Sequence, residues 1–385
     1  SLLLDSILQI SAYYIEWYTM IIMMLTKIAR FRRESCMSNI FSSYQIKKVM
    51  FKNRIVMAPM VRFGFPCSDG IMGDVLIREY LEYCDQEIGL LISQSLSISA
   101  SDDPMARSAG TSGGAGAYSK RHIPYLQQLA DRCHRCGSRF FVQLGKGGYD
   151  FLAFDSKDVN TLTIADLERI RDDFINAAYI CFCAGADGVE LHGAHGFFLN
   201  MMTSAEANRR SDKYGGDLYG RLTFAREIVG GIQKFADDHF ILSYRMGWTN
   251  SLEEDIAAAQ AFEDIGIEML HVSHGIPQTR SFHLPADYEY SSIVYAGSSI
   301  KPYIHIPIIT VWGIDTLARG NVLVEHNSCD FVAYGRAFLA DPSFVVRSME
   351  NMNYRPCLGC KTCRWFTDGR KCPARIMRKK NPARR

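Results

Sequence analysis

Two groups of residues in this chain have the types and spacing that chemistry needs. The first is a histidine pair: residues 188–198 read GVELHGAHGFF, with His192 and His195 three positions apart where an apolar run ends. Imidazoles so placed could ligate a metal, work as an acid/base couple, fork two hydrogen bonds onto a substrate oxygen, or simply pack. A zinc site would need a further ligand, which His271 or His274 of MLHVSHG would have to supply. The second group is CLGCKTCRWFTDGRKC, which places Cys357, Cys360, Cys363 and Cys372 in the pattern C-x2-C-x2-C-x8-C. Four thiolates so spaced can close around one zinc or hold a [4Fe–4S] cluster.

The bulk composition narrows the setting. A chain of 385 residues, 48% hydrophobic and 22% charged, is that of a globular protein with a full core. Its net charge of +2 is spread without a basic stripe, so nucleic acid is not an expected partner. The 12 cysteines do not form the framework of a small disulfide-stapled domain; with four in the tail they point to metal and a reducing, cytoplasmic compartment. A homo-oligomer is compatible with this composition.

Residues 1–36 are apolar and then basic, but Asp5, Glu16 and Lys27 leave an uncharged run of only ten residues, Trp17 to Thr26. A membrane span needs roughly 20 apolar residues, and a signal peptide carries its basic residues before the apolar run rather than after it. No membrane association is expected on this basis. The segment reads as an over-extended start, with the functional chain beginning near Met37, or else as a membrane-surface helix.

The elements that must position the histidines come from hydrophobic patterning. Eight near-continuous apolar runs read as strands buried on both faces: IVMAPMV from Ile55, LLISQSLSI from Leu90, RFFVQL from Arg139, GVELH from Gly188, FILSYRM from Phe240, MLHVSHG from Met269, PIITV from Pro307 and FVAYGR from Phe331. Helical patterns lie between them; one runs from Asp166 to Ala184 behind Thr163 as N-cap, with Asp166 three residues on. Eight such βα units predict a single (β/α)8 TIM barrel over residues 45–350, followed by a cysteine-rich tail over 351–385. A doubly wound sheet is the alternative, but no GxGxxG follows the first strand. In a barrel, chemistry sits at the C-terminal strand ends. Gln143, His192, Arg245, Gly313 and Gly335-Arg336 all fall there.

The blocks KNRIVMAPM, FFVQLGKGG, GVELHGAHGFFLNMM, NRRSDKYGGDLYGR and FVAYGRAFLADP, in that order, resemble the old yellow enzyme family of FMN-dependent NADH:flavin oxidoreductases and NADH oxidases. The resemblance implies an FMN barrel with Ala58, Pro59 and Met60 along the isoalloxazine ring and Gln143 on its pyrimidine edge. It implies Arg245 beside N1 and O2, and the backbone around Gly313, Gly335 and Arg336 on the phosphate. His192 and His195 would then donate two hydrogen bonds to a substrate carbonyl oxygen, where hydride transfer builds charge. The flavin would occupy the space a zinc ion needs. Two departures stand out. Phe197 lies where many relatives carry a proton-donating Tyr, so that Tyr149, Tyr244 or water would have to serve. Val61 lies where relatives often carry Thr or Cys.

The cysteine tail is similar to the cluster-binding segment of 2,4-dienoyl-CoA reductase relatives, although their usual spacing has three residues between the second and third cysteines and a longer gap before the fourth. A [4Fe–4S] cluster, structural zinc and free thiols all stay open on the sequence. The remaining cysteines read as idle: Cys133 and Cys136 on one helix face, either a weak metal pair or packing, and Cys181 and Cys183 as small hydrophobes. The activity implied is hydride passage from NAD(P)H through FMN to a small enone or quinone-like acceptor. Oxygen as the acceptor, or a flavin and metal electron-transfer protein with no organic substrate of its own, are the alternatives. The segment from Gln278 to Ser299 is expected to line the substrate entrance.

Overall fold

The computed structural model describes residues 39–65, 67–100, 114–146, 158–276 and 280–380. The N-terminal extension and Tyr149 lie outside the described residues, as do residues 278 and 279 of the expected entrance segment.

All eight expected strands form, each β-rich and almost wholly buried: β1 (Ile55–Met57), β2 (Leu90–Ile92), β3 (Arg139–Gly145), β4 (Gly188–Gly193), β5 (Ile241–Trp248), β6 (Met269–His274), β7 (Ile308–Val311) and β8 (Phe331–Tyr334). Every neighbouring pair is parallel, β8 pairs with β1, and β2 pairs with β3, so the sheet closes on itself. The result is a TIM barrel. Leu96–Ser97 adds two residues alongside the end of β3.

The sequence punctuates the surrounding helices with side-chain caps. Helix α1 spans Asp74–Cys84 and α2 spans Ile123–Arg135. Thr163 and Asp166 form a reciprocal capping box at the start of α3 (Ile164–Cys183), satisfying two backbone N–H groups that the first turn leaves free. Asp217, Ser251, Ser291 and Thr316 cap α4 (Leu218–Ile232), α5 (Leu252–Asp264), α6 (Ser292–Ile300) and α7 (Leu317–Glu325) from one side only, each side chain accepting from a backbone N–H of the first turn. A hairpin, Tyr44–Ile46 with Val49–Phe51, closes the N-terminal end of the barrel; Phe51 meets Phe141 and Phe331 edge to face at 6.1 and 5.2 Å. The opposite end is left for function.

Beyond the barrel, the tail folds back on α1 and on the loop after β1. Arg375 forks onto the carboxylate of Glu79, and both side chains are largely buried. Trp365 donates its indole Nε1 to the Val61 carbonyl at 2.8 Å, and Gly369 N donates to Phe63 O at 3.0 Å.

Candidate active site

The register of three adjacent strand pairs assembles the site. Gln143 stands opposite Glu190, His192 opposite Arg245, and Arg245 opposite His271. Because side chains alternate along a strand, residues in register turn to the same side of the wall. The Glu190 carboxylate accepts a hydrogen bond from Gln143 Nε2 at 2.7 Å and pairs its other oxygen with His271 Nδ1 at 2.8 Å. The residue after β5's centre that faces the other way, Tyr244, stacks on Phe262 of α5 at 4.0 Å and lays its hydroxyl against Gly193. It belongs to the helix layer and is in no position to replace the missing tyrosine of residue 197.

The turn after β4 bends His195 back over His192. His195 and Gly196 both adopt positive φ, 58° and 73°. The turn is held by His195 N donating to His274 O at 2.9 Å and by Gly196 N donating to Asn200 Oδ1 at 3.0 Å. The two imidazole rings meet edge to face with centroids 5.1 Å apart, and Phe197 stacks flat on His192 at 4.0 Å. Ser273 Oγ accepts from Arg245 Nη2 at 3.1 Å and lies 2.8 Å from His195 Nε2. A hydroxyl carries one proton and two lone pairs, so Ser273 can accept from the guanidinium and still pair with Nε2, tying His195 to Arg245 through one oxygen.

Burial sets the charges. It holds His192 and His195 well below the usual histidine range, and Arg245 nearby pushes the same way, so both are neutral donors at neutral pH. Burial likewise lowers His271. Arg245 is drawn down to about 10 by burial, against the pull of Glu190, and keeps its charge. For Glu190, burial would raise the carboxyl, but His271, Arg245 and the Gln143 amide together outweigh it and hold it below the ordinary carboxylate range.

The other rim strands complete the mouth. Ala58 N donates to Tyr334 O at 3.0 Å, and a methyl added at Gly335 would come within 3.1 Å of Met60 Sδ, so the ends of β1 and β8 are in contact. Trp312 and Gly313, after β7, take φ of 84° and 76°. The Trp312 ring is met edge-on by His274 at 4.6 Å, with the Arg336 guanidinium 5.8 Å from its centroid. Pro59 is half-buried between these ends. The rim residues expected from the sequence thus fall on one end of the barrel.

What that end lacks is partners for its polar atoms. Within the protein, His192 Nδ1, Arg245 Nε, His271 Nε2 and His274 Nε2 are buried without a hydrogen bond. Orphaned buried groups each cost about 1–3 kcal/mol, and four on three consecutive strands fit a polar, planar ligand such as a flavin.

Comparison with known proteins decides the family. Residues 39–354 match the model of the NADH:flavin oxidoreductase / NADH oxidase family. The chain belongs to this family. It is 29% identical over 348 residues to an NADH oxidase of Thermoanaerobacter brockii, which covers 84% of this chain and 52% of that protein. It is 26% identical over 346 residues to an NADPH dehydrogenase of Listeria innocua, covering 82% and 96%. The fold superposes with a TM-score of 0.75 on 2-naphthoyl-CoA reductase in complex with 2-naphthoyl-CoA, at 20% identity over 90% of this chain and 58% of that one. The chain spans about half the length of the first curated relatives it matches.

The family match ends at residue 354, just ahead of the cysteines. Cys357, Cys360, Cys363 and Cys372 line one cavity of about 40 Å³ together with Arg336, Trp365 and Ala374. None of the four is in a disulfide. Among the described residues, no group of three or more His, Cys, Asp or Glu side chains is placed to hold a single metal ion. This applies to the histidines too: His271, the candidate third ligand, is turned to Glu190. The idle cysteines separate. Cys133 is fully buried with its sulfur 3.3 Å from Cys84, whereas Cys136 caps α2 and contacts Asp85. Cys181 is buried as expected, but Cys183 is exposed, because the last turn of α3 rotates it to the solvent side. No helix among the described residues is long and apolar enough to cross a membrane.

Sequence reasoning missed Glu190 and Ser273. The signal for Glu190 was present: an ionisable residue inside an apolar strand run needs a partner.

Proposed function

We propose that this chain binds FMN at the C-terminal end of the barrel and passes electrons from NAD(P)H to a small electrophilic acceptor, an enone or a quinone-like compound. The observation that carries this reading is the set of four unpartnered buried polar atoms on β4, β5 and β6. When bound, FMN supplies the electron relay between the two substrates. The chain's own residues then have distinct tasks. Gln143, its NH2 committed to Glu190, offers its carbonyl oxygen to a ligand N–H. Arg245 supplies fixed positive charge where a reduced flavin is anionic. Ala58, Pro59 and Met60 back the ring, and Gly313, Gly335 and Arg336 hold the phosphate. His192 and His195, neutral and adjacent, donate to the acceptor's oxygen.

For the tail we infer a [4Fe–4S] cluster held by Cys357, Cys360, Cys363 and Cys372. Four thiols lining one cavity, in the spacing C-x2-C-x2-C-x8-C, support this reading, with a single zinc as the alternative occupant. The exposed thiols Cys183 and Cys360 fit a reducing, cytoplasmic setting.

Phe197 favours a second reading, an NADH oxidase with oxygen as acceptor, because oxygen reduction needs no proton delivered to carbon. Anaerobic purification with an absorption spectrum, iron and zinc analysis, and titration with NADH and NADPH tests all three points. Flavin bands bleached by either nucleotide support the main reading, and a flavin-loaded protein that neither nucleotide bleaches refutes it. About four irons per chain supports the cluster. Turnover with cyclohexenone and menadione against oxygen separates the two acceptors.

A further inference from the structure

We propose that Glu190 is the positioning residue of the cofactor site: it fixes which edge Gln143 and His271 present to the ligand and sets the local charge that a bound flavin meets. This rests on the FMN reading above.

The geometry is unusual for a carboxylate. Glu190 is completely buried in the centre of β4, whose other residues are Gly188, Val189, Leu191, His192 and Gly193. An ionised carboxylate has no proton to give, so every neighbour within hydrogen-bond reach must donate to it. Gln143, at 2.7 Å, therefore has to turn its NH2 inward, which leaves its carbonyl oxygen as the acceptor facing the mouth. His271, at 2.8 Å, has to place its proton on Nδ1, which leaves Nε2 as a bare acceptor, and that atom is one of the four buried without a partner. One side chain thus converts two ambidextrous groups into two acceptors of fixed orientation. Two such acceptors suit a ligand that presents N–H groups to them, while its oxygens need donors. The donors come from elsewhere: Arg245 supplies N–H groups and charge, and its attraction to Glu190 spans the same barrel interior.

The charge matters as much as the orientation. Glu190 and Arg245 form an internal pair of opposite sign, so the cation that would stabilise a reduced, anionic flavin is partly offset. Removing the anion alone leaves the cation unopposed. The flavin then becomes easier to reduce, which a merely structural role for Glu190 does not predict.

The experiment is the Glu190→Gln variant, with Glu190→Asp as the charge-retaining control, each loaded with FMN. Two quantities are read: the flavin midpoint potential and the FMN dissociation constant from flavin fluorescence. Glu190→Gln is expected to bind reduced flavin at least tenfold better relative to oxidised flavin, a positive shift of about 30 mV for a two-electron couple. It is also expected to bind oxidised FMN about tenfold more weakly, because Gln143 is no longer held in one orientation. Glu190→Asp should keep the wild-type potential within a few millivolts while losing affinity. A potential that does not move in Glu190→Gln overturns the proposal, as does an equal shift in Glu190→Asp. Should Glu190→Gln fail to fold, His271→Asn removes the imidazole acceptor and leaves the carboxylate; weaker FMN binding at unchanged potential supports the assignment, and unchanged binding overturns it. Wild-type protein that takes up no FMN refutes the function reading instead, so the two failures are distinguishable.

Discussion

Trp365, in the cysteine tail, donates its indole N–H to the carbonyl of Val61 across 2.8 Å. Val61 follows directly on Ala58, Pro59 and Met60, so the tail braces the loop expected to lie along the flavin. The brace is continued by Arg62, a fully buried guanidinium set against the rings of Tyr80, Tyr83 and Trp365 at 5.1, 5.1 and 5.4 Å. Arg336, from the expected phosphate end, lines the cavity of the four cysteines. The cysteine tail therefore contacts both the loop after β1 and Arg336 at the start of the segment after β8.

Trp365→Phe keeps most of the ring and strands the Val61 carbonyl. Leaving that acceptor unpaired costs about 1–3 kcal/mol. We expect FMN affinity to fall about tenfold, equivalent to ~1.4 kcal/mol, with a modest fall in Tm. Flavin fluorescence titration measures the first and thermal melting the second. A lower Tm with unchanged FMN affinity would show that the tail stabilises the fold without bracing the flavin loop.

Ser273 joins Arg245 to His195 through one hydroxyl. Ser273→Ala removes both hydrogen bonds and leaves His195 Nε2 without its partner. Its hydroxyl is buried, so little else is lost. A fall in kcat of about tenfold or more is expected, ~1.4 kcal/mol in the barrier, with a loss of stability of about 1–3 kcal/mol from the partners left unpaired. If kcat is kept and only KM rises, Ser273 serves binding and not the orientation of His195.

The depressed histidines predict an acid-side loss of stability. His192, His195, His271 and His274 are all lowered, chiefly by burial, beneath the unfolded value of about 6.5. Between the two values the unfolded chain binds more protons than the folded one. Their contribution is complete above about pH 6.5 and is lost as pH falls, at about 1.4 kcal/mol per pH unit for each group fully in its window. Asp255 works in the opposite sense: burial pushes its carboxyl up to about 7, so the folded state gains stability as pH falls from there toward the unfolded value. Glu79 and Glu190, both lowered, add their own loss only below about pH 4.5. Denaturant melts from pH 7 to 5 should show falling stability, a shallower slope in His192→Asn/His195→Asn, and a steeper one in Asp255→Asn. A flat wild-type profile would mean that these imidazoles are not buried neutral.

How much of this was legible beforehand depends on the kind of signal. The barrel was, because its strands are buried on both faces and write themselves as unbroken apolar runs such as RFFVQL and FILSYRM; the start of α3 was, because Thr163 and Asp166 carry their own capping chemistry. The rim residues were legible as polar groups ending apolar runs. Glu190 was not assigned, since a partner 81 positions away in sequence, His271, is what gives it a role. Tyr244 was misplaced for a related reason: a one-residue difference in strand phase decides between the barrel interior and the helix layer. The cysteine spacing raised a metal centre as an expectation but said nothing of the tail's contact with Arg336 and the β1 loop, which depends on how the tail folds back.

Phe197 offers the sharpest test of what the site reduces. Its ring lies flat on His192 at 4.0 Å, tilted by 18°, so a hydroxyl added at its para position extends from the ring edge without disturbing the stack. If the acceptor is an enone, the carbon next to the carbonyl must receive a proton after hydride arrives, and in this chain neither Phe197 nor Tyr244 can give it. A well-placed general acid contributes roughly 10²–10⁴-fold. Phe197→Tyr should therefore raise turnover of cyclohexenone by about tenfold or more while leaving turnover with oxygen unchanged, since oxygen takes no proton on carbon. Steady-state rates with both acceptors measure this on one preparation. Equal enone rates in the two proteins would mean that water or another group already delivers the proton, and that the phenylalanine does not bias the enzyme toward oxygen.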